Sequence, residues 1–233
     1  MQQKKIEILS TKMLDKNSFP EEIIIDEIPF IATKAIRDER LEKKISHLAA
    51  QPINAIFTSS HAADVVGKII SKNSSWKIFC IGNKTKETLL KFFPAESIAG
   101  TADNAADLAW NIMKDISVKN VLFFCGSQRR NELPEILIQN GIDMEELIVY
   151  ETIKTPKEIK KDYDGVLFFS PSAAESFFSI NKIKSHTVCF AIGDTTATTL
   201  KKFTTNKIIQ AQNQSQQSMM NAMLAHFKIS IDE

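Results

Sequence analysis

Short apolar runs recur along the chain, each ending in glycine or small hydroxylated residues and each followed by apolar positions at helical spacing. Ala55 to Phe57 runs into Thr58-Ser59-Ser60, and Gly165 to Phe169 runs into Ser170-Pro171-Ser172. His61 to Ile70 then carries Ala62, Val65, Val66 and Ile69 on one helical face, and Ala173 to Ile180 carries Phe177 and Ile180. Trp76 to Ile81 and Thr187 to Ile192 read as further strands, stopped by Gly-Asn or Gly-Asp before helices over Thr85 to Phe93 and Thr195 to Phe203. Strand, polar turn and helix in this alternation predict a parallel sheet with helical crossovers.

These segments are copies of one another. Residues 57–98 lie over 168–209 at a constant offset of 111 positions, without a gap and with 15 identities in 42. A period so long predicts two domains of similar α/β fold, flavodoxin-like, rather than a solenoid. After the first copy come Val121 to Cys125, a helix over Glu132 to Gln139 closed by Asn140-Gly141, and a strand over Glu146 to Thr152. Pro134 suits the first turn of that helix and Gly141 its end. Nothing comparable follows the second copy, yet Ile6 to Ser10 and Ile23 to Thr33 have strand character at the other end of the chain. The N-terminus is therefore expected to complete the second domain. That domain would be discontinuous, 1–33 plus 153–233, and the other would be an insert over 37–149, joined through linkers 33–37 and 150–156. A facing pair of this kind would form a cleft. The stretch from Thr11 to Glu21 leaves little room for a crossover helix. Gln210 to Ser218 is a polar patch read as a helix-entry loop before a last helix over Met219 to Phe227.

Composition narrows the classes. With 43% hydrophobic and 24% charged residues, and no apolar run near the length of a bilayer span, the chain reads as an ordinary globular protein, expected in the cytoplasm and without a membrane partner. A net charge of +1, without lysines interleaved with aromatics, argues against nucleic acid. Cys80, Cys125 and Cys189 lie in or at the ends of apolar runs without CxxC spacing and read as buried thiols. His47, His61, His186 and His226 form no metal-binding spacing. No metal is expected. There is no GxGxxG, Walker loop or GxSxG elbow.

In open parallel sheets ligands bind beyond the carboxyl ends of the strands. The residues there are Thr11 and Lys12, Thr58, Ser59 and Ser60, Gly82, Asn83 and Thr85, Ser127 and Arg129, Ser170 and Ser172, and Thr195 and Thr196. Each helix start offers unpaired backbone N–H groups and a positive dipole end, together suited to a polyanion. Each hydroxyl is equally what a plain N-cap requires. Tyr150, in the apolar strand LIVYET where the chain leaves the insert, reads either as a core tyrosine or as a proton donor.

The block VLFFCGSQRRNELPEILIQNGIDMEELIVYET (121–152) resembles the uroporphyrinogen-III synthase family, with its Cys-Gly, basic pair, Leu-Pro helix and Val-Tyr-x-Thr strand. IFTSSHAA, CIGNKT, FFSPSAAESF and FAIGDTTA resemble that family's other blocks in order and spacing. The resemblance implies two similar α/β domains, no cofactor, and a monomeric lyase that cyclises hydroxymethylbilane, a linear tetrapyrrole polycarboxylate, to uroporphyrinogen III with inversion of the last pyrrole ring. It implies that Tyr150 assists departure of hydroxide. It also implies that Thr85 and Thr196, with Ser59, Ser170 and Ser172, face the substrate. Asp194 stands where many members have proline. The rival reading is a two-lobed polyanion-binding protein without catalysis.

Overall fold

The computed structural model describes residues 5–14, 19–70 and 74–229 and divides the chain into two units. Unit 1 comprises residues 1–32 and 153–233, unit 2 residues 33–152. Segment 15–18, within the stretch expected to leave little room for a helix, lies outside the described residues.

Unit 2 is built on β4 (Asn54–Phe57), β5 (Lys77–Ile81), β6 (Ile98–Ala102), β7 (Asn120–Gly126) and β8 (Asp143–Lys154), with β3 (Ile31–Ala35) at the edge. The order is β3-β8-β7-β4-β5-β6, and the pairs from β8 to β6 are parallel. Alternation along the strands sends Ala55, Phe57, Ile78, Cys80, Leu122 and Phe124 to one face. There they meet α1 (Glu39–Ala49), α2 (Ser60–Ile69) and α3 (Asn83–Leu89) through Ile45, Ala62, Ala63, Val66 and Leu89. Ile56, Phe79, Val121 and Phe123 face the other way, onto α4 (Ala105–Met113) and α5 (Glu132–Gln139). Asn140 closes α5, and Gly141 follows with φ +77°, as its C-terminal position requires.

Unit 1 holds β1 (Ile6–Ser10), β2 (Ile23–Glu27), β9 (Gly165–Phe168), β10 (Val188–Ala191) and β11 (Ile208–Gln210) in a parallel sheet of order β11-β10-β9-β1-β2. Leu9, Val166, Phe168, Cys189 and Ala191 pack against α6 (Pro171–Phe178) and α7 (Asp194–Leu200). Ile8, Leu167, Val188 and Phe190 pack against α8 (Gln216–Phe227) through Met219, Met220, Met223 and Leu224. The connection from β1 to β2 has no helix among its described residues, and Leu14 and Phe19 lie against this second face.

The two sheets share one spatial order, with β4, β5, β6, β7 and β8 standing where β9, β10, β11, β1 and β2 stand. Read along its own chain, unit 1 has the flavodoxin-like order 2-1-3-4-5, while the five core strands of unit 2 read 3-2-1-4-5. Unit 1 is thus a circular permutation of unit 2, starting at the strand pair with which unit 2 ends. The correspondence outlasts the identities. Helix caps Ser59 and Ser170, Gly82 and Gly193, and Asn104 and Ser215 all keep the offset of 111.

Burial agrees with the reading of the cysteines: all three are free and buried, and burial raises the thiols of Cys80 and Cys125 to about 11 and Cys189 to about 12. No helix among the described residues is long and apolar enough to cross a membrane.

Candidate active site

The rim of unit 2 is organised by the switch between β4 and β7, from which the chain leaves toward opposite faces of the sheet. Ser59 ends the β4 turn in extended geometry and caps α2, its Oγ accepting from the His61 backbone N–H at 3.2 Å. The same Oγ accepts from the Tyr150 hydroxyl at 3.1 Å. Tyr150 lies on β8, two strands away, so its ring must pass over β7. It does so at Gly126, paired with Tyr150 through a register shift that follows Cys125. A Cβ at Gly126 would stand 2.4 Å from Tyr150 Cζ, so only glycine leaves room for the phenol.

Other hydroxyls at this rim serve the backbone. The Ser127 N–H donates to the Tyr150 carbonyl at 3.0 Å, and its Oγ accepts from Thr152 N–H at 3.4 Å, so Ser127 stitches the β7 turn to β8. Thr58 and Ser60 are half-buried beside Ser59. At the next turn Gly82 adopts φ +79°, which glycine tolerates, and caps α3 without a side-chain bond. Asn83 is exposed there and Thr85 is 5% exposed. Arg129, expected among the substrate-binding residues, is engaged by a neighbouring carboxylate. Its guanidinium grips Glu146 through Nε (2.8 Å) and Nη2 (2.6 Å) and also bonds Asn131, so its charge is already neutralised in a bidentate pair.

His61, which the sequence gives as a helix start and tests for metal spacing but assigns no role, joins this cluster. Its ring centroid is 5.8 Å from that of Tyr150, tilted 53°, and its Nδ1 is 3.2 Å from Thr33 Oγ1. Although much of the side chain is exposed, partial desolvation of the ring, and then the Lys84 charge, lower its pKa from the ordinary value, against a smaller opposite pull from Asp64. The available signal is its position two residues after Ser59 in a hydroxyl-rich helix start.

Unit 1 carries the matching rim. Thr11 is buried, its Oγ1 donating to the Leu167 carbonyl at 2.8 Å, which locks the β1 turn to β9. Lys12 Nζ lies 4.5 Å from the Phe169 ring centroid. Ser170 caps α6 by accepting from Ala173 N–H at 3.1 Å, and Ser172 is 8% exposed in its first turn. Gly193 caps α7 without a side-chain bond, with Asp194 and Thr195 exposed after it. Thr196 is 1% exposed and its Oγ1 has no hydrogen-bond partner, an uncompensated group that ordinarily costs about 1–3 kcal/mol.

Within unit 1 a cavity of about 640 Å³ lies away from that unit's rim, among Phe178, Ile180, Lys182, Lys201, Lys202 and Phe203 at the C-terminal ends of α6 and α7. Its lysines suit those helix ends as dipole partners.

Two parallel sheets of one spatial order, each flanked by helices whose N-termini gather at the strands' carboxyl ends, define the class: a duplicated α/β protein. Residues 22–221 match the sequence model of the family described as uroporphyrinogen-III synthase HemD, and the chain belongs to that family. Its fold is similar to the uroporphyrinogen-III synthetase of Helicobacter pylori 26695, at 20% identity and TM-score 0.65, covering 95% of this chain and 99% of that one. It is also similar to a mutant uroporphyrinogen III synthase of Thermus thermophilus, at 11% identity and TM-score 0.56, covering 96% and 99%. The family comprises cofactor-independent cyclising lyases of haem biosynthesis acting on hydroxymethylbilane, and membership supports uroporphyrinogen-III synthase function for this chain.

Proposed function

We propose that Tyr150 is the general acid of hydroxymethylbilane cyclisation and that hydroxyls and helix N-termini on the rims of both units bind the substrate carboxylates. The observation that carries this is the Tyr150 hydroxyl, held 3.1 Å from Ser59 Oγ at the carboxyl end of the sheet by a ring that only a glycine-sized neighbour admits.

In the reaction the terminal C–O bond breaks, the phenol proton passes to the departing hydroxide, and water leaves. The pyrrole nitrogen lone pair supplies the electrons, leaving an azafulvene cation. Tyr150 Oη has then become an acceptor, and the Ser59 O–H, which rotates freely, turns to donate to it. The last pyrrole ring attacks through a spiro intermediate and inverts. The proton released on final aromatisation returns to the phenolate, so one water is lost overall and the enzyme is restored.

Several helix starts share the binding. α2 and α3 in unit 2, with α6 and α7 in unit 1, each favour an anion by roughly 0.3–1 kcal/mol. Thr58, Ser60, Asn83 and Thr85 serve on one rim and Lys12, Ser170, Ser172, Thr195 and Thr196 on the other. The orphaned Thr196 hydroxyl supports this, since a substrate oxygen would satisfy it. The same reading makes the protein a monomeric cytoplasmic enzyme without a nucleic-acid partner.

Tyr150→Phe tests the assignment, because it keeps the ring and removes only the hydroxyl. General acids contribute about 10²- to 10⁴-fold, so kcat should fall by at least about a hundredfold while KM stays within about threefold. An unchanged kcat would remove Tyr150 from the chemistry.

A further inference from the structure

We infer that His61 is a positioning residue for the Tyr150 hydroxyl, working with Thr33 as its anchor. The inference rests on the reading of Tyr150 as the acid and adds a residue that neither the hydroxyl pattern nor the family blocks single out.

One residue touches both halves of the Tyr150–Ser59 pair. The His61 backbone N–H donates to Ser59 Oγ, the atom that also accepts the phenol proton. The His61 imidazole lies 5.8 Å from the phenol ring, centroid to centroid. Gly126 offers no side chain to restrain that ring and has no room for one. The imidazole supplies a side-chain neighbour, and it is itself fixed. Thr33 Oγ1, on β3, holds its Nδ1 at 3.2 Å, so the contact starts from a strand at the far edge of the sheet, beyond β8. Which of the two groups donates depends on the imidazole tautomer, and either choice fixes the ring plane.

A swing of the phenol by an ångström or less separates a hydroxyl aimed at a leaving group from one that misses it, and such misplacements cost up to about a hundredfold. Removing the imidazole is therefore felt in turnover and not in substrate affinity. His61→Ala is expected to lower kcat about tenfold with KM within about twofold. Thr33→Val frees the imidazole without deleting it and should lower kcat about threefold. The double variant should be no slower than His61→Ala, because the two act through one contact.

The decisive background is Tyr150→Phe. There His61→Ala should change kcat by less than about twofold, since no hydroxyl remains to be positioned. A tenfold loss in that background, a rise in KM with kcat unchanged, or full turnover by His61→Ala each overturns the inference. If Tyr150→Phe retains turnover, the parent reading fails instead. His61 and Thr33 are exposed, and thermal unfolding of each variant separates lost positioning from lost folding. His61→Phe, which restores ring contact without the Thr33 bond, is expected to recover part of the kcat lost by His61→Ala; no recovery counts against a ring contact.

Discussion

The missing side chain of Gly126 decides where the Tyr150 phenol lies. Gly126→Ala would set a methyl 2.4 Å from Cζ and 2.7 Å from the hydroxyl oxygen, a clash relieved only by moving the ring or the β7 turn. We expect kcat to fall about a hundredfold, with Tyr150 fluorescence or ring chemical shifts displaced; an unperturbed ring and full turnover would contradict the account of the crossing. Tyr150 and Ser59 are both visible in sequence, one as a tyrosine in an apolar strand and the other as a strand-end hydroxyl. Their bond is not, since it joins positions 91 residues apart and depends on a strand order that local pattern does not encode. The pairing of Arg129 is hidden for the same reason, since only the folded sheet brings Glu146 alongside it. His61 escapes notice because metal spacing, the usual sign of a working histidine, says nothing of ring neighbours.

Among the elements, strands and crossovers are legible because alternation of apolar runs with capped helices is written locally. The helix over Glu132–Gln139 is placed to the residue by its Pro and Gly punctuation. α4 is not recognisable in that way, although it is the counterpart of α8 at the same offset. Leu108, Ala109 and Ile112 are buried where Met219, Met220 and Met223 are, yet the paired helical segments share no identity, so the repeat survives there only as burial. α1 lies outside the repeated stretch and presents a narrow apolar face of Leu41, Ile45 and Leu48. In unit 1 the β1–β2 edge is also tied by charge. Lys161 bridges Glu7 on β1 at 2.6 Å and Asp26 on β2 at 2.9 Å, and the Tyr163 hydroxyl donates to Asp26 at 2.8 Å. The lysine and the tyrosine hold the Asp26 carboxyl below its ordinary 3.8, while burial and Asp26 push Tyr163 up to about 12. A lowered carboxyl stabilises the fold above pH 3.8 and loses that contribution as pH falls further. A raised phenol stabilises below pH 10 and loses it as pH climbs toward 12. Lys161→Met should therefore lower the urea midpoint at about pH 7 and have less effect at about pH 3. The difference corresponds to a few tenths to about 1 kcal/mol, because these charges are partly exposed and screened. Equal effects at both pH values would deny the cluster an electrostatic role.

For the molecule as a whole, the consequence of duplication is that each unit owns a sheet with apolar layers on both faces. Unit 2 is continuous in sequence, so residues 31–154 expressed alone, including all of β3 and β8, should unfold cooperatively in urea; a broad, non-cooperative loss of signal would show that its core depends on unit 1. Unit 1 is permuted and split, which sequence reveals only through the strands left over at the N-terminus. The rims gain their meaning from the reaction. Left to itself hydroxymethylbilane closes without inverting its last ring, so the protein must do more than hold it. The most direct measurement is the isomer ratio of product formed from hydroxymethylbilane by the purified protein. The account predicts predominantly the type III isomer, shifting toward type I when Tyr150→Phe replaces the wild type; type I alone, formed at the rate seen without protein, would contradict it.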